Sequence, residues 1–161
     1  MIRIDAAAWL NGAAPATEGK VVALHAFQML CPGCVAQGIP QAVKLRQAFP
    51  ELVVIGLHSV FEHHDVMTPR ALEAFLHEYR LPFPVALDRP LAGSPVPATM
   101  QHYQLRGTPS LLLFDRAGQL RLNHFGSLDD MVLGGVVGRL LAEPDDASGH
   151  ACADGRCALP G

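Results

Sequence analysis

Val21-Val22-Ala23-Leu24-His25-Ala26-Phe27 runs through Gln28-Met29-Leu30 into Cys31-Pro32-Gly33-Cys34. Its first seven residues have the apolar, partly β-branched character of a short strand buried on both faces, and Gly19-Lys20 punctuates the start. From Cys34 onward, Val35, Ile39, Val43, Leu45 and Phe49 predict a helix ending near Pro50, with Gly38 and Pro40 as the source of a kink. The cysteine pair therefore stands where a strand hands over to a helix N-terminus.

Disulfide exchange needs a thiolate that attacks and a second thiol near enough to resolve the mixed disulfide. At a helix start, unpaired N–H groups and the positive dipole end favour the thiolate of the first cysteine, while the first turn carries the second cysteine inward. This assigns Cys31 as nucleophile and Cys34 as resolving thiol. The competing readings of the pair are half of a zinc site, which needs two further ligands, or two inert core thiols.

Downstream, Leu52 to Leu57 repeats the buried-strand signature, and Phe83 to Leu87 is a third short candidate. Strands of this kind separated by helices call for parallel pairing and an α/β sheet. Pro69 to Tyr79 predicts a helix with Pro at its start and Leu72, Phe75, Leu76 and Tyr79 on one face. A short helix through Met100, Tyr103 and Leu105 leads into Arg106-Gly107-Thr108-Pro109. Ser110 to Phe114 and Leu120 to Phe125, joined by Asp115-Arg116-Ala117-Gly118-Gln119, predict an antiparallel hairpin. A final helix is expected over Leu128 to Leu141, with Ser127 as N-cap and Asp129 and Asp130 in the first turn.

Thr108-Pro109 opens a strand that otherwise looks central. A proline there conflicts with a ladder unless it is an ordinary trans proline on an edge or a special feature such as a cis peptide bond. Where such a segment faces the cysteine pair, the free backbone groups of Thr108 can pair with an extended partner peptide.

The chain has 161 residues, half of them apolar, enough for one sizeable core. Residues 1–142 are expected to form one domain and 143–161 a flexible tail of Pro, Gly, Asp, Ala and Ser around Cys152 and Cys157. With 12 basic and 15 acidic residues and no basic block, nucleic acid is not an expected partner. The sequence shows no secretory leader and no apolar run of membrane-spanning length, so the expectation is a cytoplasmic protein without membrane contact. Two close cysteine pairs staple no distant segments and look reactive rather than structural. Cys152 and Cys157 are candidates for a redox relay to Cys31, against a tail without a role or adventitious metal binding.

Other residues carry weaker signals. His25 reads as a hydrogen-bonded core histidine or, if its imidazole reaches Cys34, a proton shuttle. His58 and Ser59 end a parallel strand and are candidates to line the groove beside Cys31, with ordinary loop residues as the alternative. Glu62-His63-His64-Asp65 has metal-ligand residue types, but adjacent ligands alone rarely close a site, so a solvated loop is expected. Trp9 and Tyr103 read as packing residues.

The order of strand, Cys31-Pro32-Gly33-Cys34, helix, Gly107-Thr108-Pro109-Ser110, strand pair and last helix resembles the thioredoxin superfamily over about residues 20 to 142. The helix and strand from Pro69 to Leu87 resemble the insertion of its TlpA-like and redoxin branch. Val53-Val54-Ile55-Gly56-Leu57-His58-Ser59 followed by Phe61-Glu62 is also similar to thioredoxin-like domains of DipZ-type and NHL-repeat proteins. The resemblance implies a central mixed sheet flanked by helices, with that extra helix and strand. It also implies Cys31 as attacking thiol, Cys34 as resolving thiol, Pro109 as a cis proline preceded by Thr108, and a thiol:disulfide oxidoreductase without bound cofactor. Partners would be protein or small-molecule thiols and disulfides. Leu30 stands where the family usually has an aromatic residue, His25 where thioredoxin has a buried acid, and Pro-Gly where thioredoxin has Gly-Pro. A thiol peroxidase with Cys31 as peroxidatic cysteine is the first alternative, although Gln28 stands where that branch has Thr. A metal-binding thiol module is the second.

Overall fold

The apolar run at Val22–Phe27 (β2) is fully buried, which only a strand covered on both faces and paired on both edges achieves. In the computed structural model, which describes residues 1–144, it is a central strand of a six-stranded mixed sheet. Cys152, Cys157 and the relay read from them lie outside the described residues. The other strands are Ala6–Leu10 (β1), Val53–His58 (β3), Val85–Asp88 (β4), Ser110–Phe114 (β5) and Leu120–Phe125 (β6), in the order β1-β4-β3-β2-β5-β6. β2 pairs in parallel with β3, from Val22 opposite Val53 to Phe27 opposite His58, and β3 in parallel with β4. β5 lies antiparallel to β2, with Ala26 opposite Ser110, and β6 returns antiparallel to β5 through a turn in which Gly118 takes φ 74°.

Alternation along β2 divides the core. Ala23 and Phe27 pack under the helices Ile39–Ala48 (α1), Pro69–Glu78 (α2) and Asp130–Ala142 (α4), through Leu45, Leu72, Leu133 and Val137 among others. Val22, Leu24 and Ala26 face the opposite layer, where Met100 of Ala98–His102 (α3) packs with Leu105, Trp9 and Tyr103. Buried Asp88 secures this second layer, accepting the Ser59 hydroxyl at 2.8 Å and the Thr99 and Met100 N–H groups at 2.7 and 3.0 Å.

Three details differ from expectation. β1 carries no β-branched residue and three alanines, so propensity does not announce it. It is a strand because β4 offers an edge to pair with, Trp9 opposite Ala86 and Leu10 opposite Val85. The last helix is capped by Asp129, whose carboxylate accepts the N–H groups of Met131 and Val132, while the Ser127 hydroxyl bonds Gln37 instead. The expected kink near Gly38 is a π-helical turn, Cys34–Gly38, inside one helical run over residues 32–48. Pro40 has no N–H for a normal turn, and Ile39 N–H reaches back to Cys34 O instead, which widens the helix there.

Among the described residues, no helix is long and apolar enough to cross a membrane.

Candidate active site

Pro32 occupies the first helical position, where its missing N–H costs nothing, and Cys31 sits at the cap between β2 and the helix. Cys31 and Cys34 are joined by a disulfide with Cα atoms 5.2 Å apart. The pair is asymmetric: Cys31 is partly exposed, whereas Cys34 is sealed in the core at 0% exposure. Cys34 N–H points at Cys31 Sγ at 3.2 Å, so the first helical turn aims a donor at the exposed sulfur.

The other wall of the site is β5 and the segment before it. The Thr108-Pro109 peptide is cis, and Thr108 O lies 3.4 Å from Cys31 Sγ. The structure thus brings together Cys31, Cys34, Thr108 and Pro109, residues separated by 77 positions for the Cys31–Thr108 contact. Ser110 Oγ bonds Gly107 O at 2.7 Å and holds the loop that carries them.

Beneath Gly38, at the end of the π turn, lies His25. It is almost wholly buried, and among the described residues its Nε2 has no hydrogen-bond partner. A Cβ placed on Gly38 would stand 2.5 Å from His25 Cε1 and 3.0 Å from Pro109 Cβ. Cys34 and Gly38 are the two buried residues of the π turn, four positions apart and on one inward face, so the imidazole packs one turn beyond the buried sulfur. His25, Gly38 and Pro109 also line a cavity of about 410 Å³ between α1 and the start of α4. Polar groups span its mouth: Gln41 Nε2 donates to Leu128 O at 2.8 Å and Asp130 Oδ1 at 2.7 Å, and Lys44 Nζ to Asp130 Oδ2 at 2.8 Å.

His58 and Ser59 are the expected groove residues that the structure removes from the groove. Both are fully buried; His58 packs its ring 5.3 Å from that of Phe27, and Ser59 serves Asp88. They end a strand at the site's end of the sheet, but their side chains point into the layers, a direction set by register. Glu62, His63, His64 and Asp65 are exposed loop residues. Among the described residues, no group of three or more His, Cys, Asp or Glu is placed to hold a metal ion. Gln28, also buried, ties the loop after β3 to the site, accepting Phe61 N–H and donating to Glu62, both at 3.4 Å.

Burial pushes both His25 and His58 down from 6.5 to about 4. The unfolded chain takes these protons near pH 6.5, the folded chain only near pH 4. Stability present above pH 6.5 is therefore lost as pH falls toward 4, by about 3 kcal/mol for each histidine. Urea unfolding at pH 7 and pH 5 is expected to show a loss of about 4 kcal/mol in the native chain and about half that in His58→Leu. Equal stability at the two pH values would refute burial as neutral imidazoles.

No protein-family model and no curated protein sequence matches the chain. Solved structures do. A thiol-disulfide isomerase from Corynebacterium glutamicum is 49% identical, with a TM-score of 0.86 over 89% of this chain and 96% of that one. A thioredoxin-like superfamily protein is 52% identical, with a TM-score of 0.84 over 88% and 95%. A secreted Mycobacterium tuberculosis disulfide oxidoreductase homologous to E. coli DsbE is 20% identical, with a TM-score of 0.57 over 76% and 84%, and shares the fold. With about half of the aligned residues identical to the first two of these proteins over nearly their full length, and with a bonded cysteine pair facing a cis proline, the chain belongs to the thioredoxin-like superfamily of thiol-disulfide oxidoreductases.

Proposed function

We propose that the chain exchanges its Cys31–Cys34 dithiol and disulfide with thiols and disulfides of proteins or peptides. The observation that carries this reading is the asymmetry of the pair: one sulfur reachable at a helix start, the other buried one turn away. In the reducing direction the Cys31 thiolate attacks one sulfur of a partner disulfide. A Cys31–partner disulfide forms and the partner's other sulfur leaves as thiolate. Cys34, as thiolate, then attacks Cys31 Sγ, forms the internal disulfide and releases the second partner thiolate. The partner gains two electrons and the pair loses two; the oxidising direction is the reverse.

Thr108 and Pro109 form the wall against which the partner chain lies, with the Thr108 backbone available for pairing in strand fashion.

Reduction of insulin disulfides with dithiothreitol as the electron source tests the proposal. The native chain is expected to accelerate it and Cys31→Ser to leave it at the uncatalysed rate; acceleration retained in Cys31→Ser would overturn the assignment. Hydrogen peroxide as the oxidant in place of insulin distinguishes exchange from peroxidase chemistry, in which peroxide would be consumed faster.

A further inference from the structure

The wall of the site on the β5–β6 side carries an exposed charge. Arg106 is exposed, and among the described residues no carboxylate pairs with it. Its guanidinium carbon sits 5.8 Å from the centroid of the Phe125 ring, which is itself 46% exposed. A Cβ on Gly107 would stand 2.8 Å from Phe125 Cε2, so glycine is what lets this ring lie against the backbone leading into Thr108. Arg106, Phe125, Gln104, Asn123 and His124 enclose an open pocket of about 370 Å³. The Asn123 amide donates to Tyr103 O at 3.1 Å, and His124 Nε2 faces Ser127 O at 3.0 Å. Arg106 is the permanent cation of this pocket, and among the described residues no hydrogen bond occupies its guanidinium. Resting over an aromatic face leaves the edge of the guanidinium fork free, the geometry that takes a carboxylate by two hydrogen bonds.

Arg106 and Thr108 are two positions apart, a span of at most about 7 Å of chain, and Thr108 O is 3.4 Å from Cys31 Sγ. On the other flank of β2, the loop after β3 brings Glu62 to Gln28, with Asp65 nearby in sequence. A peptide crossing Cys31 thus meets a cation on one side and carboxylates on the other.

We propose that Arg106, propped on Phe125, is a specificity site that takes a carboxylate of the partner peptide within about two residues of the cysteine that Cys31 attacks. Peptides and protein segments with a carboxylate on that flank of the cysteine are then the preferred substrate class, an inference that rests on the exchange reading above.

The test uses the full chain carrying Cys34→Ser and single-cysteine peptides disulfide-linked to a chromogenic aromatic thiol. Cys31 thiolate bonds to the peptide sulfur, and the departing aromatic thiolate is read by its absorbance. The peptides carry Glu, Gln or Lys two positions before or after the cysteine. At low salt, release is expected to be about fivefold faster for Glu than for Lys on at least one flank, and the ratio is expected to shrink as salt shortens the screening length. Arg106→Gln is expected to bring that ratio close to one and Arg106→Glu to invert it, while Arg46→Gln, an exposed charge at the far end of α1, keeps the native ratio. A native ratio near one on both flanks, or a native ratio surviving in Arg106→Gln, would overturn the specificity site alone. Release from none of the peptides, Gln included, would remove the exchange reading and the specificity site with it.

Discussion

Cys34→Ser is expected to convert a turnover catalyst into a covalent trap. The exposed Cys31 sulfur, with a helix N–H directed at it, still attacks a partner disulfide. What is lost is the sulfur that would displace the partner from a distance of one helical turn. A well-placed intramolecular nucleophile acts as though present at very high concentration, up to about 10⁵ M or more in favourable cases, whereas external thiol is present at millimolar levels. Release of the partner is therefore expected to slow by about a thousandfold or more. Mass spectrometry is expected to find one partner molecule linked through Cys31 in Cys34→Ser and none in Cys31→Ser. Equal adducts on both variants would mean that the buried sulfur is as accessible as the exposed one, contrary to the burial that separates them.

Gly38→Ala is expected to have the largest structural effect of any single methyl in the chain near the site. The added Cβ would press on His25 Cε1 at 2.5 Å and Nε2 at 2.8 Å, and on Pro109 Cβ at 3.0 Å. None of these atoms ends a flexible side chain: the imidazole is held in β2 and the proline ring lies against the helix. Overpacking of this kind costs about 1–3 kcal/mol and displaces neighbours. Here the neighbours are a buried histidine of the central strand and the wall of the partner groove, so the denaturation midpoint and the rate of mixed-disulfide formation are expected to fall together. Gly134→Ala in α4 is the control. Nothing lies within 4 Å of a Cβ there, and replacing a helix-interior glycine is expected to raise stability by about 0.5–1 kcal/mol without touching exchange. A native midpoint and rate in Gly38→Ala would show that the contact between the π turn and β2 is slack.

The strand before Cys31, the helix after it and the hairpin around Gly118 announce themselves because burial on both faces, helix periodicity and turn chemistry are local properties. The cysteine spacing specifies its own chemistry for the same reason, since two sulfurs on one turn need nothing else to meet. β1 was invisible because a run of alanines becomes a strand only when a neighbouring edge supplies hydrogen bonds. Ser127 and Asp129 compete for one cap, and the outcome turns on Gln37, about ninety positions away, which engages the serine.

Sequence order was enough to place a reactive cysteine pair at a strand–helix junction and a proline opening the strand opposite, because spacing and residue type are short-range quantities. Folding settled that His58 and Ser59 face the layers and not the groove, and that His25 rests under Gly38 with its Nε2 unpartnered among the described residues. It also set Arg106 and Phe125 side by side, with no carboxylate paired to the guanidinium among the described residues. These outcomes depend on strand register and on helices crossing the sheet, contacts between residues far apart in the chain, and no local pattern encodes them.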